Sequence, residues 1–199
     1  MKMSRIIISP DSFKGTISGE DSAAALGAGW ARVRPDDEVM ALPQADGGEG
    51  TCAVIADAVP GARWMSTPEP VTGPDGRPAP GRWVVLPSGE AIVELAIPSG
   101  LTLMAAKDPR GAHTRGLGQV LRAAVAAGAD RISVGLGGSA STDGGVGAMR
   151  ELGVRFLTAD GTEIGDGGAG LADLASIDRS AMVAPPAGGV RLLCDVRSP

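Results

Sequence analysis

The run Gly135-Leu-Gly-Gly-Ser-Ala-Ser-Thr-Asp-Gly-Gly-Val-Gly147 restricts what this chain can fold into more than any other stretch. A β-branched segment, Arg131-Ile-Ser-Val134, leads into it, and the helix-forming Ala148-Met-Arg-Glu-Leu152 leaves it. That order reads as strand, glycine loop, helix. Six of the thirteen residues are glycine, so the backbone can take positive φ and approach a ligand without Cβ clashes. Ser139, Ser141 and Thr142 add hydroxyls and Asp143 adds a carboxylate. N–H groups leaving such a loop toward a helix N-terminus form an anion site, most often for phosphate. A turn that only tightens strand–helix packing needs neither the hydroxyls nor the carboxylate.

Two earlier segments repeat the pattern. Arg5-Ile-Ile-Ile-Ser9 reads as a strand buried on both faces, broken by Pro10-Asp-Ser-Phe-Lys-Gly15 and followed by a helix over 16–30 that takes its cap near Ser18. Glu38–Leu42 reads as the next strand, Pro43-Gln-Ala-Asp-Gly-Gly-Glu-Gly50 as its loop and Thr51–Val59 as its helix. Loops at the carboxyl ends of parallel strands are where α/β folds bind ligands. Asp11 and Lys14 sit in the first loop; each reads either as a site residue or as a turn cap and a solvated charge. Asp46 and Glu49 sit in the second, three residues apart, close enough to share one Mg²⁺ or one pocket if the loop curls. A plain turn with a first-turn glutamate is the alternative there.

From Trp64 to Gly81, five prolines and three glycines rule out a regular helix, and the segment reads as a linker or a domain crossover with a domain boundary near it. Arg82–Leu86 and Glu90–Ala96 read as a hairpin joined at Pro87-Ser-Gly89. His113 is the only histidine and has no metal-type neighbours, so it reads as structural. Thr114 and Arg115 precede a helix over 119–127 and offer a weak site for a carboxylate or phosphate. Val154–Leu157 reads as a strand, Gly165–Gly170 as a surface loop, Leu171–Ile177 as short helix or turn, and Val190–Asp195 as a last strand ending in a carboxylate.

Composition excludes several classes. The net charge of −5 lacks the basic face that nucleic-acid binding needs, and 3% aromatic residues leave little for base stacking. No apolar run reaches the 18 or so residues that span a bilayer. Cys52 and Cys194 lack metal or disulfide spacing and read as reduced, buried thiols. Met1 leads almost directly into the first strand, so no signal peptide is expected and a cytoplasmic location follows. No P-loop signature occurs. Gly135-Leu-Gly-Gly-Ser-Ala140 does match G-x-G-x-x-A, with Asp160 twenty residues on, which keeps a dinucleotide-binding oxidoreductase open.

Four blocks also carry a family resemblance: Pro10–Gly15, Ala45-Asp-Gly-Gly-Glu-Gly-Thr51, Gly135–Gly145 and Cys194-Asp-Val196. In this order and spacing they resemble the signature blocks of the bacterial type I glycerate kinases. The resemblance implies a two-domain α/β enzyme that phosphorylates D-glycerate with ATP and Mg²⁺, usually to 2-phosphoglycerate. It implies a flavodoxin-like N-terminal part, taken as 1–66, and a second mixed α/β domain, taken as 67–199. Family members run to roughly twice this length, so the resemblance also implies a truncated chain, incomplete in its second domain.

Phosphoryl transfer asks mainly for positioning and charge neutralisation. On the family reading, Asp11, Lys14, Asp143 and Asp195 are the catalytic candidates, and Asp143 or Asp195 is preferred as the base. Gly137, Gly138, Ser139, Thr142 and Gly144 are the expected contacts to phosphate or substrate, and Asp46 and Glu49 the expected metal ligands. The expected partners are D-glycerate and ATP, with self-association possible and no nucleic acid or membrane. A catalytically incomplete fragment is the third reading.

Overall fold

The β-branched run after Ser4 forms β1 (Arg5–Ile8) in a computed structural model that describes residues 3–194. The 9–18 loop leads to α1 (Gly19–Val33), and β2 (Glu38–Ala41) then pairs parallel with β1, Ile6 opposite Val39 and Ile8 opposite Ala41. Ser18 sets the helix start: its Oγ accepts the Asp21 N–H at 3.0 Å. Glu20 and Asp21 add negative charge at the positive end of the helix dipole. The helix expected over 16–30 is therefore shifted, because residues before a cap stay outside the helix.

Next come α2 (Thr51–Ala58), β3 (Arg63–Ser66), β4 (Val71–Thr72), β5 (Pro78–Ala79), β6 (Arg82–Val85) and β7 (Glu90–Glu94). The stretch 64–81, expected as a linker or a domain crossover, carries short strands. Its start continues β3, and its prolines flank two short strands that pair antiparallel, β4 with β5. Proline removes one donor but fits strand ends, so a proline-rich stretch can still make short ladders. The hairpin of β6 and β7 turns at Gly89, whose φ of +81° is open to glycine.

After α3 (Ala96–Ser99) comes α4 (Arg115–Ala126), which begins four residues before the sequence expectation. β8 (Arg131–Gly135), α5 (Val146–Glu151), β9 (Arg155–Leu157), α6 (Gly167–Gly170), β10 (Ser176–Asp178) and β11 (Val190–Leu193) complete the order. Residues 165–170, expected as a surface loop, instead bury Gly167 and Gly170. A Cβ on Gly167 would lie 2.7 Å from the Gly111 Cα, so this segment packs against the 108–111 turn.

The main sheet has the order β11-β8-β7-β6-β3. β11, β8 and β7 are parallel, β6 is antiparallel to β7, and β3 is antiparallel to β6. Alternation sorts its side chains by face. Val93, Ile132 and Val134 meet Leu117, Val120 and Ala124 of α4 on one side. Val84 and Ile92 meet Cys52 of α2 on the other. Each buried valine, leucine or isoleucine among these contributes about 1.5–3 kcal/mol relative to exposure. A smaller core of Val146, Val154, Phe156 and Ile164 lies under the antiparallel β9–β10 pair. The result is the mixed α/β class expected. Among the described residues, no helix is long and apolar enough to cross a membrane.

Candidate active site

Two loops meet where parallel strands end. The Gly137 N–H, just past β8, donates to the Gly47 carbonyl at 3.0 Å. A Cβ on Gly135 would stand 2.5 Å from the Gly47 oxygen, and one on Gly137 would stand 2.5 Å from the Gly48 Cα. Only glycine permits so close an approach of backbone to backbone. The acidic loop after β2 is thereby seated on the glycine loop after β8. The 9–18 loop lies beside it, since the Gln44 N–H donates to the Pro10 carbonyl at 2.9 Å.

Glu49 extends from this junction toward Gly138, where an added Cβ would be 3.0 Å from Glu49 Oε1. Asp46 is exposed, and its Oδ1 accepts the Gly48 N–H at 3.0 Å, an Asx turn that holds the loop. Ser139 and Ser141 join their hydroxyls at 2.9 Å at the loop's outer edge, and the Ser141 N–H donates to Ser139 Oγ at 3.1 Å. Thr142 is exposed and donates its hydroxyl to the Pro109 carbonyl. Gly138 and Gly144 both take positive φ, at 72° and 60°.

Asp143 is 0% exposed, and both its oxygens are engaged. Oδ1 accepts the Gly145 N–H at 3.0 Å. Oδ2 accepts the Thr114 N–H and hydroxyl, each at 2.8 Å, and the Gly147 N–H at 3.0 Å. The Thr114 hydroxyl oxygen in turn accepts the Ala148 N–H at 2.9 Å. The sequence reading gave Thr114 and Arg115 a carboxylate to hold; the carboxylates are the chain's own. Thr114 holds Asp143, and Arg115 pairs with Glu151 at 2.9 Å, a contact that raises the guanidinium pKa. The amides of Gly145 and Gly147 are therefore spent on Asp143. Those of Gly138, Ser139 and Gly144 have no hydrogen-bond partner among the described residues.

Asp11 is half-buried, and its Oδ1 accepts the Ser12 N–H at 2.6 Å. Lys14 is exposed, and among the described residues no ion pair joins it to the glycine loop. Asp195 lies outside the described residues. His113 is buried, with Nδ1 accepting the Arg115 N–H at 3.4 Å, as a structural histidine would. Cys52 is buried, and loss of hydration there pushes its thiol up to about 12. Cys194, expected to be buried, is exposed, because β11 is the edge strand of the main sheet.

The sequence reading missed Glu94 and Ser99. Glu94, the last residue of β7, is 3% exposed and accepts the Gly50 N–H at 3.0 Å and the Cys52 N–H at 2.9 Å. Burial pushes its carboxyl pKa up; those two hydrogen bonds oppose the shift, while the Glu49 charge adds to it. Ser99 accepts the Leu117 N–H on Oγ and the Ala140 N–H on its carbonyl, tying α3 to α4 and to the glycine loop. Both residues stand in stretches read as ordinary strand and turn. An acidic residue at the end of an otherwise apolar strand was the one available signal.

No group of three or more metal-ligating side chains assembles among the described residues. Mg²⁺ nonetheless binds commonly through one or two carboxylates plus waters and substrate phosphates. Asp46 and Glu49 each bring a hard-oxygen carboxylate to the same loop, and Glu49 makes no hydrogen bond among the described residues. The dinucleotide reading fares less well. The helix it needs directly after the glycines begins only at Val146, and the Ala140 N–H is already committed to Ser99. Asp160 is exposed and bonded to Thr162.

A family model described as the glycerate kinase family matches residues 6–199. The chain belongs to the glycerate kinase family. It is 42% identical over 181 residues to a glycerate kinase of Bacillus subtilis strain 168, covering 89% of this chain and 47% of that protein. It is 38% identical over 199 residues to the glycerate 2-kinase of Escherichia coli K12, covering 98% and 51%. The crystal structure of the Salmonella typhimurium LT2 protein assigned as glycerate kinase 2 superposes with a TM-score of 0.77 at 37% identity, covering 100% of this chain and 54% of that one. The chain thus spans about half the length of the glycerate kinases it matches.

Proposed function

We propose that this chain serves the ATP-dependent phosphorylation of D-glycerate, with 2-phosphoglycerate the favoured product. The observation that carries the reading is the interlocked pair of strand-end loops, which sets Glu49 against Gly138 beside open loop amides. Carboxylates and amide donors at one place suit a triphosphate and its counter-charge. A substrate hydroxyl oxygen attacks the γ-phosphorus, and the bond to the β-phosphate oxygen breaks. ADP leaves with that electron pair, and the hydroxyl proton passes to a carboxylate.

Gly138, Ser139 and Gly144 supply amides to phosphate or to the glycerate carboxylate, and the hydroxyls of Ser139 and Thr142 supplement them. Gly137 holds the junction. Asp46 and Glu49 would hold Mg²⁺, which neutralises phosphate charge when bound. Lys14 offsets negative charge on the transferred group. Asp143 has no spare oxygen, so its role in this proposal is to hold the loop; the base is Asp11 or Asp195. The cell compartment we propose is the cytoplasm, in keeping with two cysteines outside any disulfide.

A second reading is favoured by exposed apolar side chains, Ile7 at 61%, Val33 at 79% and Leu192 at 62%. On it, the chain alone is catalytically incomplete. ADP release by the purified chain with ATP, Mg²⁺ and D-glycerate, with L-glycerate as control, separates the two. Turnover selective for D-glycerate supports the first reading, and silence from folded protein supports the second.

A further inference from the structure

We infer that Glu94 is a positioning residue for this transfer: a buried carboxylate clamp that holds the acidic loop on the glycine loop. The inference rests on the glycerate kinase reading of the site. The residue that caps the start of α2 is Gly50, which has a φ of 91° and no side chain to cap the helix. The first N–H groups of a helix need acceptors from elsewhere when they are buried. Glu94 supplies both, one carboxylate oxygen to Gly50 and the other to Cys52.

Its place in the sheet gives the clamp its leverage. In the parallel register Glu94 stands opposite Gly135, and the next residue, Leu95, donates its N–H to the Gly135 carbonyl at 2.9 Å. Gly135 is also the glycine that must lack a Cβ for Gly47 to approach. One strand end therefore anchors both loops, the glycine loop through the β7–β8 ladder and the acidic loop through the Glu94 side chain. Glu49 lies one residue from the Gly50 amide that Glu94 holds, so the clamp fixes where the Glu49 carboxylate stands relative to Gly138. Trading Glu94 for glutamine keeps the volume but turns one acceptor into a donor facing an N–H. That buried amide is then left unmatched.

The test compares the wild-type chain with Glu94→Gln and Glu94→Asp by amide hydrogen exchange and by steady-state kinetics. Glu94→Gln is expected to speed exchange at Gly50 and Cys52 about tenfold or more while Val93 and Val134 keep their protection. It should lower kcat about tenfold with KM for D-glycerate within twofold, since positioning acts after binding. Glu94→Asp, which keeps the charge, should recover part of both effects and serves if the glutamine variant does not fold. Unchanged exchange at Gly50 and Cys52 in the glutamine variant overturns the clamp. Faster exchange with unchanged kcat, or uniform loss of protection across the sheet, overturns the positioning role. A wild type without turnover is a failure of the glycerate kinase reading and takes the catalytic role with it; the exchange data then judge the clamp alone.

Discussion

Asp143 and Lys14 show how differently two charged residues can stand around one site. Asp143 accepts four hydrogen bonds and sees no water. Replacing it by alanine strands several buried donors, each costing about 1–3 kcal/mol. Asp143→Ala is expected to lower unfolding free energy by roughly 3 kcal/mol or more, read as a shift in urea midpoint. Lys14 is exposed, so Lys14→Ala should leave that midpoint nearly unchanged. It should lower turnover roughly 100-fold or more in an active form, as loss of a charge-stabilising group does; near-wild-type kinetics would take Lys14 out of the site. The cysteines make a second contrast. A thiol-reactive dye at pH 8 should label the native chain at Cys194 and reach Cys52 only after unfolding. The folded Cys52 pKa, about 12, lies above its usual 9.0, so the fold favours the neutral thiol. That stabilisation is complete below pH 9 and lost as pH rises toward 12. A Cys52→Ala chain should show a flatter decline in stability over that window.

At the level of elements, periodicity located β1, β2, β6, β7 and β8 because each is a short apolar run bounded by turn residues. The cap at Ser18 and the αL glycines likewise act through local chemistry that a sequence displays. Pairing does not: nothing near Trp64 announces that β3 will edge the main sheet beside β6. The same holds in the site. Glycines and acidic residues marked the two loops, yet their mutual contact is set by residues some ninety positions apart. The burial of Asp143 was not legible, because a loop carboxylate carries no label for it. The sheet itself makes a plain prediction. Ile132 is 1% exposed between strands and α4, and Ile132→Ala should cost about 2–5 kcal/mol by the same denaturation measurement.

On the scale of the whole molecule, the β1–α1–β2 unit leaves much apolar surface uncovered, including Ile7, Leu26, Val33 and Leu42, and β11 adds Val190 and Leu192. Patches of this kind drive association in water. We propose that the two-domain organisation divides this unit from the main sheet, with β3 counted in the sheet it pairs with. Sedimentation velocity of the isolated chain should show association that rises with concentration, and a Val33→Glu, Leu192→Glu double variant should shift it toward monomer. A concentration-independent monomer would contradict this. The glycine junction works the other way, sealing two parts of the molecule by what is missing from them. Since its fit is stored in absent methyl groups, no chemical probe of side chains can report on it. A comprehensive substitution scan would see it as three positions, Gly47, Gly135 and Gly137, where even alanine is refused although none of them carries a reactive group.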